Sequence, residues 1–316
     1  MREKSINNSV WGVFKARWNL KCITPLVFRD GHVFKVASGD RDEGSQISDL
    51  STQYVLENGE LKPYYQIPSS SIRGVLRSFC IQNLVDPTYY SLFSELLKDI
   101  KEDDRVLKTI KKGLNTSESG IDYLVDLFGI AVSSSNVDDT IGQAGRLILE
   151  TEKMDIKNVI KKQYDESGVE IEDMIDQLPE GSEIRIRNPL DRISHASKDG
   201  GLHRFLELSP ENKITVKFYI SNPITRDLGL FKLWAREIEY GMIRFGALAS
   251  VGKGRMTLDH EQYSLWLAPN INIEEILGES SSIAEPKQNS ISNTEEIFAG
   301  LWNCFELKKE RLPDYV

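Results

Sequence analysis

The chain has 316 residues, 40% hydrophobic and 28% charged, a length and balance that suit one large domain or two ordinary ones around a buried core. No apolar run is long enough to cross a bilayer. Cys22, Cys80 and Cys304 are too few and too scattered for a disulfide framework or a zinc site, which points to a reduced, cytoplasmic compartment. The net charge of −9 at first argues against nucleic acid, but it is unevenly placed: residues 150–180 hold 10 acidic and 4 basic side chains, whereas 181–260 hold 13 basic and 9 acidic.

In chain order, residues 12–28 partly alternate apolar and polar until Pro25, which predicts a strand ending near Thr24. Residues 29–66 are polar, with Asp-Gly, Ser-Gly-Asp and Asn-Gly turn signals, and read as a long connection. Ile67-Pro68-Ser69-Ser70-Ser71 opens a helix, with serine as the N-cap, that runs to about Val85. Residues 89–129 predict amphipathic helix closing at Asp126-Leu127-Phe128-Gly129. A strand over 144–152, a charged and partly helical stretch over 153–178, and strands over 183–187, 204–208 and 213–221 follow. Residues 225–245 predict a strong helix whose Leu228, Phe231, Ala235, Ile238 and Met242 form one apolar face. One or two short strands fill 254–268, a Ser-, Glu- and Asn-rich linker 278–293, and a last helix carrying Trp302 about 294–307.

This order predicts an α+β fold with an antiparallel sheet, a ferredoxin-like core with large insertions. Residues 1–269 form one domain, interrupted by a helical insertion at about 86–140 and an acidic segment with a basic hairpin at about 150–210. Residues 270–316 are linker and C-terminal helix.

Three segments carry chemistry. In Pro68-Ser69-Ser70-Ser71-Ile72-Arg73-Gly74-Val75-Leu76-Arg77, a helix N-terminus offers unpaired N–H groups and a positive dipole end to phosphate. Arg73 and Arg77 share one face, and Gly74 lets another backbone come close. In Arg244-Phe245-Gly246-Ala247-Leu248-Ala249-Ser250-Val251-Gly252-Lys253-Gly254-Arg255, three glycines with Lys253 and Arg255 outline a nest of N–H groups for phosphate. It is no Walker loop, since it follows a helix and lacks the Gly-Lys-Ser/Thr ending. The third segment runs from Ile184 to Phe205, a strand, a basic loop and a returning strand, with arginines suited to phosphate.

Together these segments resemble the RAMP superfamily of CRISPR-associated proteins. Pro68-Ser69-Ser70-Ser71-Ile72-Arg73-Gly74-Val75-Leu76-Arg77 is similar to the family's Pro-Gly-Ser-Ser helix start, with Ser69 in place of the usual glycine. Leu127-Phe128-Gly129 with Gly145-Arg146-Leu147 resembles its Phe-Gly segment and next strand, and Phe245 to Arg255 resembles its glycine-rich signature loop. The likeness spans roughly residues 12–260.

The resemblance implies a modified ferredoxin-like (RRM-like) palm with a thumb hairpin, here residues 185–204, in a backbone subunit of a type III CRISPR effector complex. Its implied partners are guide CRISPR RNA, complementary target RNA, other RAMP subunits and the large signature subunit, with no membrane. Implied RNA contacts are Ser69, Ser70, Ser71, Arg73 and Arg77 at the helix start, and Arg146 on the strand after the Phe-Gly segment. Gly252, Lys253, Gly254 and Arg255 join them from the loop, and Arg185, Arg187, Arg192, Lys198 and Arg204 from the thumb. In such subunits a loop aspartate cuts target RNA by transesterification with a divalent metal, expected as Mg2+, and no tightly bound cofactor. By position that aspartate is Asp49, with Asp42 second, although Ser51-Thr52 replaces the usual Asp-x-Pro-hydrophobic pattern. Two alternatives are a non-catalytic structural RNA-binding subunit and a metal-independent guide-processing endoribonuclease using His32.

Overall fold

The computed structural model describes residues 10, 12–36, 46–84, 120–132, 141–161, 163–164, 170–171, 173–175, 177–188, 203–267 and 290–291. The predicted helix beyond 293 and the tip of the basic hairpin, with Arg192, His195 and Lys198, lie outside the described residues, as do Asp42, Cys304 and most of the helical insertion.

The central sheet grows from strict alternation. β1 (Gly12–Cys22) buries Phe14, Ala16, Trp18, Leu20 and Cys22 and turns Lys15 and Arg17 outward. It lies between β14 (Lys213–Ser221) and β15 (Met256–Leu267), antiparallel to both, and β14 pairs in turn with β8 (Leu147–Thr151). Helix α1 (Ser69–Leu84) falls between β1 and β8 in the chain, and α3 (Thr225–Glu239) between β14 and β15. The order β15-β1-β14-β8 with these two helices is a ferredoxin-like βαββαβ palm, extended at its edge by β16 (Ser290–Ile291).

One face of the palm sheet is covered. Phe14, Trp18 and Phe218 meet Phe231 of α3 at ring-centroid distances of 5.1, 5.5 and 5.1 Å, and Phe231 touches Trp234 at 5.2 Å. Trp18 donates its indole N–H to the Tyr263 hydroxyl at 2.9 Å, so this fully buried side chain keeps its polar atom paired. Burial pushes the thiols of Cys22 and Cys80 up to about 12.

The connections build the rest. Between β1 and α1 lie β2 (Val33–Val36), β3 (Ile47–Ser48) and a hairpin of β4 (Thr52–Glu57) and β5 (Glu60–Tyr65). After α1 come α2 (Ile121–Phe128) and a short pair, β6 (Ile130–Val132) and β7 (Ile141–Gln143). Between β8 and β14 lie β9 (Gln163–Tyr164) and β10 (Glu170–Ile171), which pair with each other, then β11 (Asp173–Ile175), β12 (Ser182–Arg187) and β13 (His203–Leu208). Strands from the two long connections join as a second, mixed sheet of order β11-β2-β3-β13-β12.

Three expectations are corrected. The long polar connection contains four strands, because β4 and β5 form a half-exposed hairpin closed at Asn58-Gly59 with positive φ at both positions. Among its described residues, the stretch 153–178 forms short strands rather than helix. The long helix stops at Glu239: the Tyr240 N–H bonds the Arg236 carbonyl and Gly241 turns to φ +72°, so Met242 leaves the apolar face and stands 72% exposed.

Candidate nucleic-acid interface

Thr151 of β8 pins the start of α1. Its hydroxyl donates to the Ile67 carbonyl at 2.6 Å, and it receives the Gln66 amide at 3.1 Å. The helix begins at Ser69, and the Pro68 carbonyl accepts from the Ser71 and Ile72 N–H groups. Pro68 therefore holds the cap position, and the three serines occupy the first turn. Ser69 faces the Thr151 hydroxyl at 3.5 Å, while Ser70 and Ser71 are exposed.

The glycine-rich loop begins after α3 and is laced to the chain just beyond β1. Ala247 N–H bonds the Val27 carbonyl at 2.7 Å, Gly254 N–H the Pro25 carbonyl at 3.0 Å, and Phe245 N–H the Gly254 carbonyl at 2.9 Å. Two glycines permit this lacing. A Cβ on Gly246 (φ +78°) would stand 2.4 Å from the Val27 carbonyl oxygen, and one on Gly254 (φ +72°) 1.9 Å from that of Phe245. The close approach is to the chain's own backbone. The N–H groups of Val251, Gly252, Lys253 and Gly254 all bond carbonyls of the chain, so this loop forms a scaffold and not the expected open nest.

These two segments, far apart in sequence, line one groove of about 860 Å³. Ser70, Ser71 and Gly74 form one wall, and Gly246, Ala249 and Ser250 the other. Its cations are Arg29 and Arg244, neither of which the sequence patterns single out for this role. Arg244 donates Nε–H to the Gly241 carbonyl at 3.0 Å and Nη1 to that of Ala249 at 3.3 Å, two of its five donors. Arg29 lies over the Phe205 ring at 5.6 Å. Arg244 directly precedes the Phe-Gly of the loop, and that adjacency is the only sequence signal for it. Phe28, Val75, Phe79 and Met242 add apolar surface to the groove lining. A phosphate chain with unpaired bases matches this mixture of donors, guanidinium groups and apolar surface.

Several residues expected at RNA have internal partners. Arg73 donates Nη1 to the Leu147 carbonyl at 2.9 Å and Nη2 to that of Phe128, stapling α1 to β8 and α2; desolvation depresses its pKa, and Arg77 adds to the effect. Arg146 donates to Asp126 and Asp227 at 2.7 Å each and to the Ser221 and Asn222 carbonyls. Asp227 in turn reaches back to the Ile224 N–H at 2.9 Å, capping α3. Lys253, 13% exposed, is ion-paired with buried Glu207 of β13. Arg73, Arg146 and Lys253 are thus framework residues, because each cation is engaged by carbonyls or carboxylates of the chain itself. Arg77 is half-buried on α1, and Arg255 is exposed beside Gly241. Arg185 and Arg187 are exposed on one face of β12, away from the groove lining, and Arg204 is half-buried on β13.

Asp49 is fully buried. Its Oδ1 accepts the Leu50 N–H at 2.7 Å and the Tyr65 hydroxyl at 2.8 Å, and its Oδ2 lies 3.1 Å from His32 Nδ1. The Asp49 N–H bonds the His32 carbonyl, so the pair is tied by backbone and side chain together. His32 is only 3% exposed, not a solvated loop histidine. A divalent cation needs several free oxygen ligands, whereas these carboxylate oxygens are already engaged. Among the described residues, no group of three or more His, Cys, Asp or Glu side chains could hold a metal. The residues around Asp49 do not fit the expected ion.

No curated protein matches this sequence. A chain of a solved structure titled "Type IV-B CRISPR Complex" is 14% identical, with 82% of this chain and 92% of that chain covered and a TM-score of 0.40. No described helix is long and apolar enough to cross a membrane. The family model described as the RAMP superfamily matches residues 19–257, from within β1 to the start of β15 and across both walls of the groove; the chain belongs to the RAMP superfamily.

Proposed function

We propose that this chain is a guide-RNA-binding backbone subunit of a type III CRISPR effector complex, and that the groove between α1 and the glycine-rich loop holds guide phosphates. The observation that carries this reading is the convergence of two family segments on one groove containing Arg29 and Arg244. Ser70 and Ser71 add exposed hydroxyls at the positive end of the helix. Target RNA, neighbouring RAMP subunits and the large signature subunit are the partners this role requires.

Of the two versions of this role, the non-cleaving one fits the geometry better. A carboxylate that assists attack by a ribose 2′-OH must come within hydrogen-bond reach of it, and Asp49 has no solvent contact and at least three donors around it. Asp49 and His32 then act as framework for the connection that carries Phe28 and Arg29. Burial of His32 weighs equally against metal-independent processing through that residue.

Ser71→Glu tests the groove. Glutamate in a first helical turn favours the helix, yet here it places a negative charge among the phosphates. We expect unchanged thermal stability and RNA affinity about tenfold or more weaker, by fluorescence anisotropy with single-stranded RNA at fixed salt. An unchanged affinity would overturn the assignment.

A further inference from the structure

The palm sheet has a second face. Its inner side packs on α3, whereas the outward side chains of β1, β14 and β15 form a separate concave patch of about 430 Å³, lined by Lys15, Arg17, Lys217, Tyr219, Gln262 and Ser264. Register explains the grouping. Lys15 stands opposite Tyr219 on one side and Ser264 on the other; the next outward row pairs Arg17 with Lys217 and Gln262. The row before it brings Trp266, 46% exposed, opposite Val13. The face therefore carries aromatic side chains on both strands that flank β1, with three cations in and beside the central row.

The charges on this face are arranged rather than neutralised. Arg17 and Lys217 share Glu152 at 3.2 and 2.7 Å. Both pairs are partly exposed, with Arg17 at 47% and Lys217 at 35%, so they exchange readily for another anion. Lys15 makes no ion pair among the described residues, and its ammonium lies 6.0 Å from the centre of the Tyr219 ring. A cation next to an aromatic face, with a second cation two residues along the same strand at about 6.8 Å, meets the two needs of a single strand: phosphates to pair and bases to stack. A duplex offers no free base faces, so it cannot use Tyr219 and Trp266. Gln262, Ser264 and the Tyr219 hydroxyl supply neutral donors and acceptors of the kind that contact a ribose 2′-OH. An acidic protein segment would satisfy the cations but leave the ring faces without a matching partner.

We propose that the open face of the palm sheet, centred on Lys15 and Tyr219, is a second binding site for single-stranded RNA, separate from the groove at α1. The site holds a strand that the groove does not, with one base on Tyr219 and its phosphates on Lys15 and Arg17.

The test uses the full chain carrying Ser71→Glu, so that the groove is closed by charge. A fluorescent uridine oligonucleotide about 12 nucleotides long serves as probe. Residual binding is expected, weakened about 5- to 150-fold by Tyr219→Leu, the range for loss of one base–aromatic stack. Lys15→Ala should lower the salt dependence by about one counterion. Thermal melts check that both variants stay folded, and thiouridine photo-crosslinks should map to the peptide containing Tyr219. The site is overturned if the Ser71→Glu protein does not bind, if Tyr219→Leu changes nothing, or if duplex RNA or single-stranded DNA of the same sequence binds as tightly. Displacement of the RNA by a polyglutamate peptide at equal concentration would assign the face to a protein partner and also overturn it. Loss of RNA binding by Ser71→Glu alone leaves the groove assignment intact, whereas failure of the unsubstituted chain to bind any RNA removes both.

Discussion

A carboxylate without solvent must be held by donors, and Asp49 is held by the Tyr65 hydroxyl, the Leu50 N–H and His32. Removing it strands these groups in the interior, where each unsatisfied donor costs about 1–3 kcal/mol. Asp49→Ala should therefore destabilise the protein by roughly 3 kcal/mol. Asp49→Asn, which keeps an oxygen for Tyr65 and Leu50, should cost less. Urea unfolding midpoints check the order. In an assembled effector complex containing the Asn variant, the pattern of target-RNA cuts should stay unchanged; a lost cut would restore Asp49 to catalysis. Sequence position locates this aspartate in the connection between β1 and α1. It cannot reveal the burial, because the groups that hold it come from the segment just before β2, from β5 and from the residue after Asp49, and their meeting is a tertiary event. Arg146 teaches the same lesson: the family resemblance places it among the RNA contacts, yet Asp126 of α2 and Asp227 of α3 claim it, and that meeting is made only in the fold.

At the scale of elements, the sequence is most legible where one face is buried and the other wet. β14 is expected over 213–221 and forms there, and β1 and α1 fall within a few residues of expectation, since alternation and helical spacing are local signals. The β4–β5 hairpin is hidden because its strands mix apolar and polar residues without clean alternation and are only partly covered, although Asn58-Gly59 announces the turn. The glycine-rich segments stand out in the sequence, but what their glycines do does not. At Gly74 no atom lies within 4 Å of the place a Cβ would take, whereas a Cβ on Gly254 would fall inside contact distance of the Phe245 carbonyl. Gly74→Ala should thus raise stability by about 0.5–1 kcal/mol through helix propensity. Gly254→Ala should lower it by several times that amount and free the loop from Pro25. Paired thermal melts separate the two, and equal shifts would contradict the packing of the loop.

The whole molecule is a palm whose two long insertions pair with each other. β2 and β3 come from one connection, β11, β12 and β13 from another, and together they form the mixed sheet that carries the described part of the basic hairpin. That sheet cannot be read from sequence, because β3 and β11 are only two and three residues long and their pairing is non-local. The same architecture accounts for the acidic net charge: the acids of 150–180 lie largely in an insertion, while the palm strands turn Lys15, Arg17, Lys213 and Lys217 outward.

One contact ties the insertion sheet to the glycine-rich loop of the palm. Lys253 pairs with Glu207, which is 2% exposed on β13, and a bridge between Leu26 and Leu208 lies beside it. Breaking such a pair from one side leaves a charge in the interior, at a cost of about 3–5 kcal/mol, whereas replacing both partners by apolar side chains is often neutral. Lys253→Met should therefore destabilise strongly, and the double variant Lys253→Met with Glu207→Leu should recover most of the loss. Hydrogen exchange locates the effect. In the single variant, amides of β13 and of residues 245–254 should lose protection together, because the loop and the insertion sheet share that charged anchor. If Lys253 instead served RNA directly, Lys253→Met would weaken binding with little change in stability, and the double variant would bind no better than the single one. The two outcomes separate a scaffold role for the signature loop from a ligand-contact role.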